Sequence, residues 1–301
     1  MVWTSALPDA SLERVAMQAL QLDLFEERTV RLARGRSALR AFDLSSAREE
    51  LAACVLRYPE DREAREGLAL ACRLGDRLAE LEVEHGDPVT ALLLLEPEVD
   101  GATGEGWHRR LAQEAERRHG CGCDVAGTPA GLHWLLGGNL EEAQRSLQDT
   151  LGGRPGDARA RAYLADVLFC RGQVRQARQE YLRAFLADPE AVDLDQLADP
   201  DVAALPAIAE NEYEIPGPCL DWVAAVGTVE GVFPVPAATL PGIGTSADAH
   251  PTNDSPGRGR SFYRHLLEER SARSHNERVA ARRRMKQHSP SLLAAYLGRL
   301  R

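Results

Sequence analysis

A period of 34 residues in the middle of the chain constrains the fold more than any other feature of the sequence. When the segment 124–155 is shifted by one period, its small, apolar and proline positions fall on residues of similar kind. The matched pairs are Gly131 with Ala165, Trp134 with Leu168, Gly138 with Gly172, Leu140 with Val174, Ala143 with Ala177, Leu147 with Tyr181, Leu151 with Phe185 and Pro155 with Pro189. Self-similarity at a fixed period of this length is typical of stacked helical repeats. The period therefore predicts that each unit consists of a helix, a turn, a second helix and a closing proline.

The residues at the turns and contacts have physical reasons to recur. Gly138 and Gly172 are expected to end the first helix of each pair, because glycine adopts a left-handed conformation without steric cost. Asn139 is expected to cap the second helix. Small Gly131 and Ala165 allow the two helices of a pair to approach closely. The prolines cannot continue a helix interior and so mark the boundary of each unit.

These residues at this spacing resemble the tetratricopeptide repeat family, most clearly over residues 124–189. A more distant copy lies 96 residues earlier, where Leu44, Ala47, Leu51 and Pro59 align with the first strong unit. Phe42 replaces the turn glycine in that copy, and residues 65–81 form a further partial unit. The resemblance implies an all-α, helical-hairpin solenoid with a concave face. A generic solenoid outside the family is the alternative.

Composition and periodicity divide the chain into four parts. We predict an N-terminal helix at 1–27 and helical repeats at 28–212. A Pro/Gly-rich strap and linker at 213–260 and a basic helical tail at 261–301 follow.

In the tetratricopeptide family, the first helix of each pair lines the groove that binds a partner, and the corresponding positions are carried over here. The first strong unit contributes Val125, Thr128, Leu132, Leu135 and Leu136. The second contributes Arg159, Ala162, Asp166, Phe169 and Cys170. The lysine-and-asparagine carboxylate clamp of some family members is missing. Two occupants are open: an amphipathic helix or apolar peptide of a partner, or later segments of this chain.

Residues 214–259 are dense in proline and glycine, and helical periodicity is lost there. We expect the apolar first half, 220–235, to form a short hairpin or an extended strap anchored by Trp222 and Phe233. We expect the second half, 237–259, to be a mobile linker. The strap docks in the protein's own groove, or Trp222 and Phe233 form a patch that binds a partner.

The net charge of −10 hides a strong asymmetry. Residues 258–301 hold 12 basic and three acidic residues, a local charge of +9, whereas residues 1–257 carry −19. The basic residues singled out in the tail are Arg278, Arg282, Arg283, Arg284 and Lys286. Four interpretations of these residues are open. They form a solvated face or pair with the acidic body, or they bind an acidic protein. Alternatively, they bind nucleic acid phosphates or lie on a membrane surface.

One cluster has the chemistry of a metal site: His119, Cys121 and Cys123. Two thiols and an imidazole suit zinc or copper(I), but Cys219 or His133 would have to complete the ligand set. A glycine-containing turn between helices is the alternative, and we predict no metal and no cofactor.

His108 and His133 are interpreted as surface or packing residues. No nucleotide-binding, nucleophile-elbow or metalloprotease motif is present, so we predict no enzyme and no small-molecule substrate.

The remaining features concern location and role. The first residues lack a basic stretch followed by an apolar one, no apolar run approaches a membrane span, and the six cysteines are scattered. We therefore expect a soluble, cytoplasmic protein with reduced thiols. The sequence predicts a protein-binding scaffold or adaptor, such as an assembly factor or an accessory subunit of a larger complex. The alternative is a nucleic-acid-binding or regulatory protein that acts through the arginine-rich segment.

Overall fold

The computed structural model describes residues 27–216, 219–234 and 257–300. These residues fall into two compact units. The first holds the described residues up to Arg118 together with Leu136–Gly138, and the second holds the described residues of His119–Leu135 and those from Asn139 onward. The helix predicted for 1–27 lies outside the described residues except for residue 27, and so does the predicted linker up to residue 256. The described part is helical apart from one two-residue β pair and the connections, which confirms the predicted fold class.

The first unit is a succession of helices. These are α1 (residues 27–40), α2 (Leu44–Arg57), α3 (Arg62–His85), α4 (Pro88–Leu95), a 3-10 turn (Glu96–Glu98) and α5 (Gly104–His119). The side chains of Asp43, Asp61 and Asp87 begin α2, α3 and α4, because each accepts a backbone N–H from the first turn. The apolar residues Ala47, Leu51 and Leu74 of α2 and α3 are fully buried in this unit.

The turn between α1 and α2 has the left-handed geometry that was predicted for the turns at Gly138 and Gly172, although it contains no glycine. Phe42 adopts a φ of 58°, in the left-handed region that non-glycine residues rarely occupy. The backbone N–H of Asp43 donates to the carbonyl of Ala38 at 2.9 Å, which closes the end of α1. Gly106 of α5 lies against this turn, since a Cβ there would be 2.3 Å from the carbonyl oxygen of Arg40. The buried Phe42 ring offsets the backbone cost of its conformation.

The second unit begins with an antiparallel pair of short strands, β1 (Asp124–Val125) and β2 (Thr128–Pro129). The repeat helices follow: α6 (Ala130–Leu136), α7 (Leu140–Gly153), α8 (Ala158–Cys170) and α9 (Val174–Ala187). Two 3-10 turns (Pro189–Ala191 and Leu194–Gln196), α10 (Pro200–Ala203) and α11 (Leu205–Tyr213) come next. The unit ends with a 3-10 turn (Cys219–Trp222), α12 (Val223–Val229), α13 (Arg258–Ser271), α14 (His275–His288) and α15 (Pro290–Arg299).

The glycine turns of the two strong repeats form as predicted. Gly138 and Gly172 have φ values of 75° and 76°. The N–H of Asn139 donates to the carbonyl of Trp134, and that of Gln173 to Leu168, both at 2.9 Å. The Asn139 side chain also caps α7. These bonds span the same number of residues as the one at Asp43, so the three hairpins share one turn geometry.

Close contact between the two helices of a pair depends on a residue without a bulky side chain. A Cβ on Gly131 would lie 2.4 Å from Cγ of Leu147. Gly35 makes the same contact in the first unit, where a Cβ would lie 2.5 Å from Cγ of Leu51. Gly35 precedes Gly131 by the same 96 residues that separate Leu51 from Leu147. The sequence comparison included Leu51 but missed Gly35.

The expectation of a hairpin or an extended strap at 220–235 was wrong for residues 220–229, which are helical. Every residue of α12 is buried, so this short segment is apolar on all sides and shows no helical periodicity. Gly227 allows the end of the segment to fold back, because a Cβ there would lie 2.5 Å from the ring of Phe233.

We predict that Gly131→Ala lowers the free energy of unfolding by about 1–3 kcal/mol, because the added methyl group forces Leu147 and the backbone of α7 to move. Gly152→Ala is the matched control within α7, since a Cβ there meets no atom within 4 Å. Chemical denaturation followed by circular dichroism measures both. Equal stability of the two variants would contradict the role assigned to Gly131.

Candidate partner-binding surface

The groove positions of the first strong repeat divide into buried and half-buried residues. Val125 on β1 and Leu132 on α6 are buried. Thr128, Leu135 and Leu136 are half-buried. The strand pair places Val125 opposite Thr128 and leads directly into α6. Within the second unit, the half-buried groove positions of this repeat are therefore Thr128 on β2 and Leu135 in the last turn of α6.

The groove positions of the second repeat lie on α8. Arg159 and Cys170 at its two ends are exposed, and Phe169 is half-buried. Ala162 and Asp166 between them are each only 1% exposed. The structure thus leaves the two ends of α8 accessible and covers its middle.

The residues that follow α9 provide this cover at Asp166. Segment 189–198, called the covering segment below, contains the two 3-10 turns and packs its first turn against α8. The backbone N–H of Ala198 donates to Oδ1 of Asp166 at 2.8 Å. Pro189 and Val192 are buried. At Asp166 the chain's own segment therefore occupies the groove position.

Asp166 is electrostatically unusual. The hydroxyl group of Tyr181 on α9 also donates to Oδ1, whereas Oδ2 has no hydrogen-bond partner among the described residues. Burial raises the pKa of Asp166 to about 7, against the lowering effect of the two donated hydrogen bonds. Burial and the neighbouring Asp166 carboxyl raise the pKa of Tyr181. Asp166 therefore titrates near neutral pH, and Tyr181 stays protonated there.

Sequence reasoning missed the covering segment, although the sequence contains a signal for it. Asp188, Asp193 and Asp199 each accept a backbone N–H at the start of a short helical turn. Aspartate is favoured at this cap position. Three caps within a dozen residues indicate consecutive short turns rather than a regular repeat helix.

Trp222 and Phe233 lie in the interior of the second unit. Trp222 is 7% exposed and its ring centroid lies 5.9 Å from that of Phe262 on α13. Phe233 is 1% exposed and packs on α12 beside Gly227. Both side chains are core residues in this structure. The predicted partner-binding patch of Trp222 and Phe233 is therefore not exposed.

The basic C-terminal segment is part of the folded second unit. Its helices bury Phe262, Leu266 and Leu292 completely. Asp221 joins α13 to the preceding turn, because its carboxylate accepts the backbone N–H of Gly259 at 2.6 Å and Nε of Arg260 at 2.9 Å. Removing the segment would expose this apolar surface, so deletion is a poor test of its charges.

The arginines of this segment have two different surroundings. Nε of Arg282 donates to the buried Glu269 at 2.9 Å, and Arg284 pairs with Glu268 at 2.7 Å. The exposed basic side chains of this segment that have neither an ion pair nor a hydrogen bond among the described residues are called the unpaired basic residues below. They are Arg264, Arg270, Arg273, Arg278, Arg283 and Lys286. Of the singled-out tail residues, Arg282 and Arg284 are thus structural, and Arg278, Arg283 and Lys286 are available.

The structure places the His119, Cys121 and Cys123 stretch in a turn between α5 and β1. Gly120 and Gly122 adopt φ values of 89° and 74°. Thr150 stands where the repeat pattern has alanine, and its hydroxyl donates to the carbonyl of Gly122 at 3.2 Å. Within the described ranges, no group of three or more His, Cys, Asp or Glu side chains is placed to hold a metal ion.

The two histidines interpreted as surface or packing residues lie on helices α5 and α6. Burial lowers the pKa of His108, which lies beside Trp107 with ring centroids 4.7 Å apart, and His133 is half-buried on α6. None of the helices that the structure describes combines the length and apolarity needed to cross a membrane.

Comparison with protein-family models assigns two regions of the chain. Residues 32–80 and 137–194 match the model of the tetratricopeptide repeat, which confirms the resemblance seen in the sequence. The first region covers all of α2 and parts of α1 and α3. The second covers α7, α8, α9 and the start of the covering segment. Neither the curated proteins nor the solved structures gave a match.

We predict that Trp222→Ala lowers the free energy of unfolding of the second unit by about 3–5 kcal/mol, because it leaves a cavity against Phe262. Val174→Ala on α9, where the side chain is 38% exposed, should change it by less than about 0.5 kcal/mol. Thermal and urea unfolding of the full chain measure both variants. A stable Trp222→Ala protein would contradict the core role.

Proposed function

Because residues 32–80 and 137–194 match the tetratricopeptide repeat, we propose that this chain acts as an adaptor that binds another protein or peptide. Tetratricopeptide repeats generally mediate protein–protein interactions, and their fold is typically a non-catalytic scaffold. The observation that carries the proposal is that the matched ranges coincide with the helical hairpins built on α1–α3 and α7–α9. A role as an assembly factor or an accessory subunit of a larger complex fits this binding activity.

The accessible ends of α8 and α6 are the surface we assign to the partner. Phe169 and Leu135 offer half-buried apolar side chains, and the exposed Arg159 adds a positive charge. Nη1 of Arg159 lies 3.4 Å from the carbonyl oxygen of Gly127, at the limit of a hydrogen bond, so the guanidinium remains available. An apolar contact flanked by a positive charge suits a short peptide with apolar and acidic residues.

A second candidate function follows from the unpaired basic residues. They leave α13, α14 and the turn between them with a positive charge that the neighbouring glutamates do not neutralise. Exposed cations of this kind bind polyanions by releasing condensed counterions, without reading a sequence. This supports nucleic acid binding at α14 as the alternative to the adaptor function.

The groove proposal predicts that Phe169→Asp weakens partner binding at least about tenfold, since it places a charge in an apolar contact. The partner is first captured with the full chain from nuclease-treated native lysate and identified by mass spectrometry. It is then purified and titrated against both proteins by calorimetry. Val174→Asp, in the same hairpin but on the outer helix α9, should bind like the unchanged chain. Equal affinity of the two variants would refute the assignment of the surface to α8.

The basic-residue alternative predicts that the triple variant Arg278→Gln, Arg283→Gln and Lys286→Gln weakens nucleic acid binding. Fluorescence anisotropy with a labelled duplex, titrated at several salt concentrations, measures the affinity and its salt dependence. If these residues contact phosphates, the slope of log K against log salt should fall by about 2–3.

A charge-matched control separates local contacts from net charge. The triple variant Arg36→Gln, Arg48→Gln and Arg62→Gln removes three exposed arginines of the first unit. It should keep the salt slope of the unchanged chain. No binding by the unchanged chain at low salt would exclude the nucleic acid function.

A further inference from the structure

Asp166 is a buried carboxyl group that holds the covering segment, and its hydrogen bonds are unevenly distributed. Oδ1 accepts the N–H of Ala198 and the hydroxyl of Tyr181. Oδ2 is buried, and no donor in the described part of the chain reaches it. When the carboxyl group is protonated, this arrangement buries a neutral group. When it is ionised, the same arrangement buries a negative charge with one oxygen unsolvated, which is costly.

No positive charge among the described residues compensates that cost. The groups that face Asp166 are Tyr163 and Cys170 from α8, Tyr181 from α9 and Asp193 from the covering segment. Tyrosine and cysteine are neutral near pH 7, and Asp193 adds a second negative charge. The neighbouring Arg178 is committed to Asp199, with a 2.7 Å bond from Nε to Oδ2.

The covering segment is otherwise attached at its two ends. Pro189 and Val192 are buried at its start. The Arg178–Asp199 pair fixes the chain just beyond its end, and Asp199 is fully buried. Between Val192 and Ala198, each residue is exposed or half-buried. The contact of Ala198 with Asp166 therefore holds a stretch that has few other attachments of its own.

We propose that Asp166 is a proton-controlled latch: its protonated form keeps the covering segment closed on α8, and its ionisation releases the segment. In the released form, water reaches Oδ2, and α8 becomes accessible at Asp166. The transition is a property of this chain alone and needs no partner.

The direction follows from proton linkage. Burial in the closed form raises the pKa of Asp166 to about 7, whereas a solvated carboxyl in the released form has the ordinary value of 3.8. The closed form therefore binds the proton more tightly, and it is favoured most below the ordinary value. As the pH rises from about 4 to 7, the closed form loses stability relative to the released form, and above that range the loss is complete.

Hydrogen exchange of the covering segment tests the latch in the full chain. With the intrinsic exchange rate corrected for pH, the opening constant of the Ala198 amide should rise about tenfold between pH 6 and pH 8. Asp166→Asn keeps an acceptor for both donors and cannot ionise, so its opening constant should be the same at both pH values. Asp195→Asn removes an exposed charge of the same segment that does not face Asp166, so it should keep the tenfold change.

Two outcomes would overturn the proposal. One is an opening constant of Ala198 that does not change with pH in the unchanged chain, a result that needs no variant. The other is a pH response that persists in Asp166→Asn. If Asp166→Asn fails to fold, the ionisation of Asp166 is followed instead by carbon NMR of the side-chain carboxyl in the unchanged chain. Its midpoint must then coincide with that of the exchange change, and separate midpoints would refute the latch.

Discussion

The distance between the two helices of a repeat is the constraint on which the rest of the structure depends. In each unit a glycine of the first helix, Gly35 or Gly131, lies directly against a leucine of the second, and neither position has room for a Cβ. Such close approach leaves only a short turn between the helices, and the chain makes it with a left-handed residue. Because Phe42 takes this conformation as well as Gly138 and Gly172, the close contact dictates the turn even where the sequence lacks glycine. Once hairpins of this kind are formed, each has an apolar side that only a neighbouring hairpin can bury.

In the second unit, irregular elements that follow the last regular repeat bury the apolar side of its hairpin. The covering segment, α10 and α11 follow α9, and the fully buried α12 packs against α13 and α15. Buried and half-buried carboxylates connect these parts: Asp199 binds Arg178, Asp221 binds the start of α13, and Glu269 binds Arg282. The basic character of the C-terminal helices therefore has two origins. Some arginines neutralise buried carboxylates that the fold requires, and the others have no structural partner and are left to solvent or to a ligand.

The sequence predicted the hairpins well because their signals are local and periodic. Glycine, alanine and proline at a fixed spacing define the turn, the contact and the boundary, and each of the three signals acts within one repeat. The helix at 223–229 could not be predicted in the same way. It is short and apolar on every side, so its pattern does not distinguish a buried helix from a buried strand. The groove positions on α8 were assigned from the regular family pattern, which holds only while a regular repeat follows. The departure after Pro189 places Ala198 on Asp166, a contact 32 residues apart that no local pattern encodes.

Asp166 shows how such a departure creates a functional possibility. In a regular stack, the neighbouring helix would present apolar side chains at this position, and a carboxyl group would only destabilise the contact. Here the neighbour is a segment with little burial of its own between Val192 and Ala198, so one backbone N–H bond matters to its position. The same burial that makes the ionised carboxyl costly brings its pKa to about 7, within the range where small changes in pH alter its charge. The cost of burying Asp166 and the weak attachment of the covering segment are therefore linked. A hydrophobic residue at this position would remove the pH dependence, but it would also remove the acceptor that holds the N–H of Ala198.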